Sequence, residues 1–380
     1  MKYTFDAKTA WLFIVSILIA FSLLEFGLRY WLSNYAPEHL FARYATYEMI
    51  QEKPLRYSRH PYLSFYPTPN YTNEKGERHN SLGYRGEEII QPKPDGVYRV
   101  VAIGGSTTYT AAVSSYKDAY PYLLEKELKK HGLENVEVIN AGVPFYDSWP
   151  ILVNFQFRVL DLDPDLIIYY EGDNEIKTRM VYPHESYRGD NTGRVSPPSI
   201  TGTRIYDTSV ALRMIFSRFA DISHFGDLSK LNSAETLVHF DYLNQYFSGE
   251  YPKGIFKEKS ALEILEDNPP IYTERNLRNL VSVAKKQGVD VLFSTYAYSP
   301  LKGERTETPV YQKAVEEHNS LIEDIAKREK ILFYDFASEM SREPRYWITD
   351  GVHVNEAGSA LKAELFADFL TPLLAGPNRD

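Results

Sequence analysis

The chain has 380 residues, 43% of them apolar and 24% charged, with a net charge of −9. That length suits one large domain or two modest ones, and the balance is that of a globular protein rather than a disordered one. The acidic balance, with no Lys/Arg block after the N-terminus, argues against a nucleic-acid binder that tracks phosphates, and the absence of cysteine excludes disulfides and thiolate zinc sites.

The first predicted element is a membrane helix. Ala10 to Leu24 carries no charge, and apolar residues continue past Glu25 through Phe26, Leu28, Tyr30, Trp31 and Leu32. Crossing the hydrocarbon core takes about 20 helical residues at ~1.5 Å each. Residues 9–28 supply them if Glu25 sits near an interface. Lys2 and Lys8 ahead of the run predict an N-in, C-out orientation, a bias that Arg29 weakens. Bulky Leu, Glu, Phe and Arg follow the run where a signal peptidase needs small residues. Residues 1–32 therefore read as an uncleaved anchor, with a cleaved signal peptide as the competing reading. Residues 33–97 are polar, aromatic and rich in Pro, and predict an extended arm with little regular structure that packs on the domain after it.

From residue 97 strands and helices alternate. The pattern predicts strands at 98–103, 136–139 and 166–170, with helices over 120–131 and 148–160 between them. A long insertion at about 178–270 follows, with a Pro-rich loop at Ser196-Pro197-Pro198, two helices and many aromatics. Alternation resumes with helix 274–287, strand 289–295, helix 311–327, strand 331–334 and a last helix over 355–370. Short, near-continuous apolar strands between amphipathic helices predict a parallel sheet covered on both faces. The fold class is thus α/β: a three-layer α/β/α domain over 98–375 around a flavodoxin-like five-stranded parallel sheet. Such sheets bind ligands at the carboxyl ends of their strands.

Four segments bear chemistry. Gly104-Gly105-Ser106-Thr107, Asn140-Ala141-Gly142 and Gly172-Asp173-Asn174-Glu175 each follow a predicted strand, and Asp350-Gly351-Val352-His353 precedes the last helix. A serine hydroxyl is a poor nucleophile until a base takes its proton. Ser106 sits where two glycines permit a sharp turn, and the pattern is not a G-x-S-x-G elbow, since position 108 is Thr. His353 is the candidate base, with Asp350 three residues earlier to orient it. The Ser106 and Gly142 N–H groups and the Asn174 side-chain amide are candidate oxyanion donors. Each residue alone reads as a turn or loop residue, and their worth is in the joint arrangement. His184, His224 and His239 lack a metal-ligand spacing, and no phosphate loop is present because the P-loop Lys is missing. No metal or cofactor is expected.

These blocks resemble the SGNH (GDSL-like) hydrolases, in which Ser, Gly, Asn and His head four blocks in this order on a three-layer α/β/α fold. The resemblance covers about residues 81–370, interrupted by the insertion. It implies catalytic Ser106, Asp350 and His353, and an oxyanion hole from Ser106, Gly142 and Asn174. Gly105 and Thr107 depart from the Asp and Leu of the name-giving motif, so no role carried by that Asp transfers. The anchor and Leu82-Gly83-Tyr84-Arg85-Gly86 are similar to membrane-anchored bacterial members. The resemblance implies a serine esterase acting on short acyl esters, on an extracytoplasmic glycan, tethered to the bacterial inner membrane by one span. The alternatives are an O-acyltransferase acting on an exported polysaccharide beside a membrane protein partner, and a catalytically idle accessory protein on the same fold. The complete Ser/Asp/His set argues against the last. The aromatics of the insertion (Tyr182, Tyr187, Tyr206, Phe216, Phe219, Phe225, Tyr242, Tyr246 and Phe247) predict a cap beside Ser106, or a docking surface for a membrane partner.

Overall fold

The computed structural model describes residues 6–375 except 54, 59, 61, 64, 190–204, 220–236 and 302–304. The loop at Ser196-Pro197-Pro198, His224 and Phe225 lie outside the described residues. The rest fall into two compact units, one within 1–59 and 196–231, the other within 60–195 and 232–380.

In the first unit, helix Ala7–Asn34 starts at Asp6, whose carboxylate accepts the Thr9 N–H at 2.7 Å. It is long and apolar enough to cross a membrane, and its most apolar stretch has no buried residue. Leu32 near its end packs with Phe41, Ala45, Met49, Leu55 and Val210. The predicted lack of regular structure after residue 33 is corrected here by two short helices, Glu38–Tyr44 and Tyr47–Glu52. Phe41 of the first, Met49 of the second and Ala45 at the bend between them are buried in one cluster with Leu32, and burial supplies what a six- or seven-residue helix lacks alone.

The second unit holds a five-stranded parallel sheet. In chain order its strands are β1 (Tyr98–Gly104), β2 (Val136–Gly142), β3 (Leu166–Tyr170), β4 (Asp290–Ser294) and β5 (Leu332–Tyr334). Their spatial order is β2-β1-β3-β4-β5, the flavodoxin-like doubly wound order. Helices Tyr120–Lys130 and Glu356–Leu374 pack together on one face, over Val100, Ala102, Ile168 and Tyr170. Helices Ser148–Asn154 and Ile271–Lys286 pair on the other, and Pro309–Glu329 packs against Ile271–Lys286, β4 and β5. Because both faces are covered, β1 is buried from Arg99 to Gly104 and β3 throughout. That burial is why the strands read as apolar runs without alternation.

The register places the site. Gly104 pairs with Gly142 on β2 and with Tyr170 on β3. The three strands therefore end level, and the segments that follow them leave from one rim, on both sides of the point where the strand order reverses.

Candidate active site

Ser106 opens the short helix Ser106–Tyr109 directly after β1. The glycines before it serve space rather than a left-handed turn, since Gly105 has φ −91°. A Cβ on Gly104 would lie 2.1 Å from the Tyr170 carbonyl oxygen, and one on Gly105 would lie 2.0 Å from Glu171 Oε2 and 2.6 Å from Asn174 Nδ2. The first block is thus pressed against the third. Thr108 Oγ1 fastens it by donating to the Tyr170 carbonyl at 2.6 Å.

Ser106 Oγ lies 2.7 Å from His353 Nε2, and His353 Nδ1 lies 2.6 Å from Asp350 Oδ2. The network assigns the tautomer: Nδ1–H donates to the carboxylate and Nε2 accepts from the serine. Asp350 Oδ1 accepts the backbone N–H groups of Val352 and His353, both at 2.9 Å, and Gly351, between Asp350 and Val352, takes φ 68°, a conformation natural to glycine. Burial pushes the Asp350 carboxyl up. The His353 hydrogen bond and charge and the two N–H bonds outweigh it, so the group sits below the usual carboxylate range. Buried Trp347 holds the loop, bridging to Val354 and donating Nε1–H to the Ser341 carbonyl at 2.8 Å. Ser106, Asp350 and His353 are 247 residues apart at the widest and meet as one line.

Asn174 and Gly142 border this line. Asn174 is buried in the first turn of helix Asp173–Arg179. Its Nδ2 donates to the Tyr146 carbonyl at 3.0 Å and its Oδ1 accepts Lys177 Nζ at 3.3 Å, which fixes the amide's orientation. Gly142 N–H donates to Asn140 Oδ1 at 3.1 Å. A Cβ on Gly142 would fall 2.3 Å from the Tyr109 N, so this glycine lets the serine helix sit against β2. Thr110 (φ 65°) and Phe145 (φ 69°), neither a glycine, hold left-handed backbone on the segments leaving β1 and β2, a kind of strain that clusters at functional sites.

Four supporting residues were given no role by the sequence, although Arg85 and Asp173 stand inside segments it singles out. Arg85, buried in the arm, donates Nη1 to the carbonyls of Tyr109 and Thr110 at 2.7 and 2.8 Å and Nη2 to Val113 at 2.8 Å. It thus ties off the carbonyl end of the serine helix. Removing it strands these acceptors in a buried place. Arg85→Ala is expected to cost about 3 kcal/mol or more, read as a lower urea midpoint, and an unchanged midpoint would show that solvent replaces it. Asp173 binds Lys177, Arg305 and Tyr311 at 2.5, 3.1 and 3.2 Å. Burial pushes its carboxyl up, but Arg305 and Lys177 hold it well below the usual range.

Glu171 and Lys362 are the other two. Glu171 Oε1 accepts the Asn174 N–H at 2.8 Å, while Oε2 is buried against Gly105. Lys362 Nζ donates to the Thr107 carbonyl at 3.2 Å, over the rings of Tyr170 and Tyr120, and burial drives its ammonium well down. Burial likewise pushes the Glu171 carboxyl up to about 8. The Asn174 N–H opposes the rise and the charges of Asp173 and Glu175 add to it. An unfolded Glu titrates near ~4.3. Between these values the native state binds the extra proton, so this group's contribution to stability is complete below ~4.3 and is lost as pH rises through about 8. Glu171→Gln is expected to flatten that decline, and urea midpoints at about pH 5 and pH 8 with an unchanged slope would locate the pH dependence elsewhere.

The insertion's aromatics divide between the two units. Tyr206, Phe216 and Phe219 belong to the first unit, and Tyr187 and Tyr242 are buried within the second. Tyr242 packs edge-on against Tyr251, with Phe256 beside both. Tyr242 and Phe256 are buried core residues with Tyr251 packed against them, which is the ordinary use of aromatic residues.

No family model matches the chain, and no curated protein does. Solved structures that it resembles include a lipase/acylhydrolase from Enterococcus faecalis, at 15% identity over 73% of this chain and 97% of that one, TM-score 0.41. A GDSL-like lipase from Bacteroides thetaiotaomicron is 17% identical over 72% and 88%, TM-score 0.39. An acetylxylan esterase from Geobacillus stearothermophilus is 15% identical over 73% and 94%, TM-score 0.40. At these scores they carry no weight for function, which is read from this chain's own residues.

Proposed function

We propose that the chain is a membrane-anchored serine ester hydrolase of the SGNH type. The observation that carries the reading is the hydrogen-bonded line from Ser106 Oγ through His353 to Asp350. In it Ser106 Oγ attacks the acyl carbonyl as its proton passes to His353 Nε2. Asp350 stabilises the imidazolium, which then protonates the departing alkoxide. Water enters the acyl-serine by the same path, releasing the acid and restoring Ser106. The developing oxyanion meets the Ser106 N–H, which as the first of its helix has no intrahelical partner, and the second N–H of the Asn174 amide. The Gly142 N–H joins them by exchanging its Asn140 bond.

The proposed substrate is a short acyl ester on a glycan outside the cytoplasm, the side that Lys2 and Lys8 favour for the domain. A sugar hydroxyl entering in place of water would make the same site an acyltransferase. Hydrolysis is the simpler outcome because water needs no acceptor site. Asn174→Ala is expected to lower kcat for a small acetyl ester by about 10²–10³-fold with little change in KM, since that bond strengthens in the transition state. A change confined to KM would make Asn174 a ground-state binding residue and remove it from the oxyanion hole.

A further inference from the structure

In the first unit, Glu25 does more than interrupt the apolar run. Its carboxylate accepts Ser209 Oγ at 2.8 Å and the N–H groups of Val210 and Ala211 at 2.9 Å each, and it pairs with Arg29 at 2.7 Å. The start of helix Val210–Phe216 is thereby fastened to the first charged turn after the uncharged run. Arg29 Nη2 adds a bond to the Thr208 carbonyl at 2.6 Å. A seven-residue helix is about 10 Å long, so nothing on it stands far from the level of Glu25. One side of this helix is committed. Val210 is buried beside Leu32, and Arg213 is buried on Asp207 at 2.8 Å and on the Arg43 carbonyl at 3.3 Å. The other side is apolar and open: Ile215 and Phe216 are exposed, and Phe219, in the turn that ends the helix, is 81% exposed. On helix Ala7–Asn34, Phe26 is 72% exposed, and Tyr30, Trp31 and Tyr35 follow it in the open.

We propose that Val210–Phe219 is a membrane-surface element, which lays Ile215, Phe216 and Phe219 into the headgroup boundary of the bilayer that helix Ala7–Asn34 spans. Large apolar residues left open at the level of Glu25 suit the boundary, where aromatic rings concentrate, and the apolar side of a short helix lies in that plane. Helix Val210–Phe216 packs against helix Ala7–Asn34. Arg218, exposed among them, suits anionic headgroups. A stretch of the insertion more than 180 residues from the anchor in sequence thereby becomes part of it, and the chain holds the membrane at two places.

The inference rests on the membrane-anchor reading, and the test separates the two. The chain has no cysteine, so single Cys substitutions with an environment-sensitive fluorophore report single positions. Ile17→Cys, Ile215→Cys, Phe219→Cys and Glu323→Cys are placed in the full chain and reconstituted in phosphatidylcholine/phosphatidylglycerol vesicles. Nitroxide lipids quench the probes by depth. The expected result is quenching at Ile17 by nitroxides deep in the acyl chain, at Ile215 and Phe219 by nitroxides near the headgroup, and none at Glu323. Quenching at Ile17 with Ile215 and Phe219 in water would overturn the proposal and leave the anchor standing. No quenching at Ile17 would overturn both.

Discussion

Ser106→Ala is expected to lower ester hydrolysis by about 10⁵–10⁶-fold while the protein stays folded. The size follows from the chemistry: without the hydroxyl no acyl-enzyme forms, and only the rate supplied by substrate binding and the oxyanion donors, about 10³–10⁴ over water, remains. The fold should survive because the Ser106 side chain is only partly buried and its hydroxyl is bonded to His353 Nε2. The Gly104 and Gly105 contacts that set the backbone do not involve it. Steady-state hydrolysis of a small acyl ester, with circular dichroism as the folding control, checks both halves. Hydrolysis at the parent rate in a folded Ser106→Ala protein would remove the mechanism.

His353→Ala is the second large effect, expected at about 10⁴–10⁶-fold in kcat, because the proton of Ser106 then has no acceptor at 2.7 Å. Asp350→Asn should cost less, about 10⁴-fold, since the base remains but loses the carboxylate that fixes its tautomer. The Asp350 carboxyl also accepts the N–H groups of Val352 and His353, so an amide there disturbs the loop as well as the ring. The ordering of the two variants is the diagnostic. A milder loss in His353→Ala than in Asp350→Asn would mean that another group serves as the base.

What was legible in the sequence was what local pattern controls. Strands buried on both faces appear as runs such as Val100-Val101-Ala102-Ile103, and the residues after them leave from the rim at which a doubly wound sheet binds ligand. Ser106, Asp350 and His353, which the structure brings into one hydrogen-bonded line, stand in ordered blocks of the sequence. What was hidden depends on contacts that no local pattern encodes. Arg85 stands in a segment with a family likeness, but nothing in that segment says what it binds until the fold sets it against Tyr109 and Thr110. Lys362 looks like a polar helix residue, yet it lies over the rings of Tyr120 and Tyr170. Glu25 reads as a blemish in an apolar span, while its partners Ser209 to Ala211 lie more than 180 residues away. In the sequence the glycines of the first block suggest turn freedom, and the close approach of Tyr170 and Glu171 that requires them becomes visible only with the sheet register.

In the proposed mechanism everything turns on Ser106 taking the acyl group. The most direct test is covalent labelling of the full-length chain by a fluorophosphonate, followed by peptide mass mapping. One adduct is expected, on Ser106, formed far more slowly in His353→Ala and absent in Ser106→Ala. An adduct on a different serine, or labelling that persists undiminished in Ser106→Ala, would contradict that mechanism.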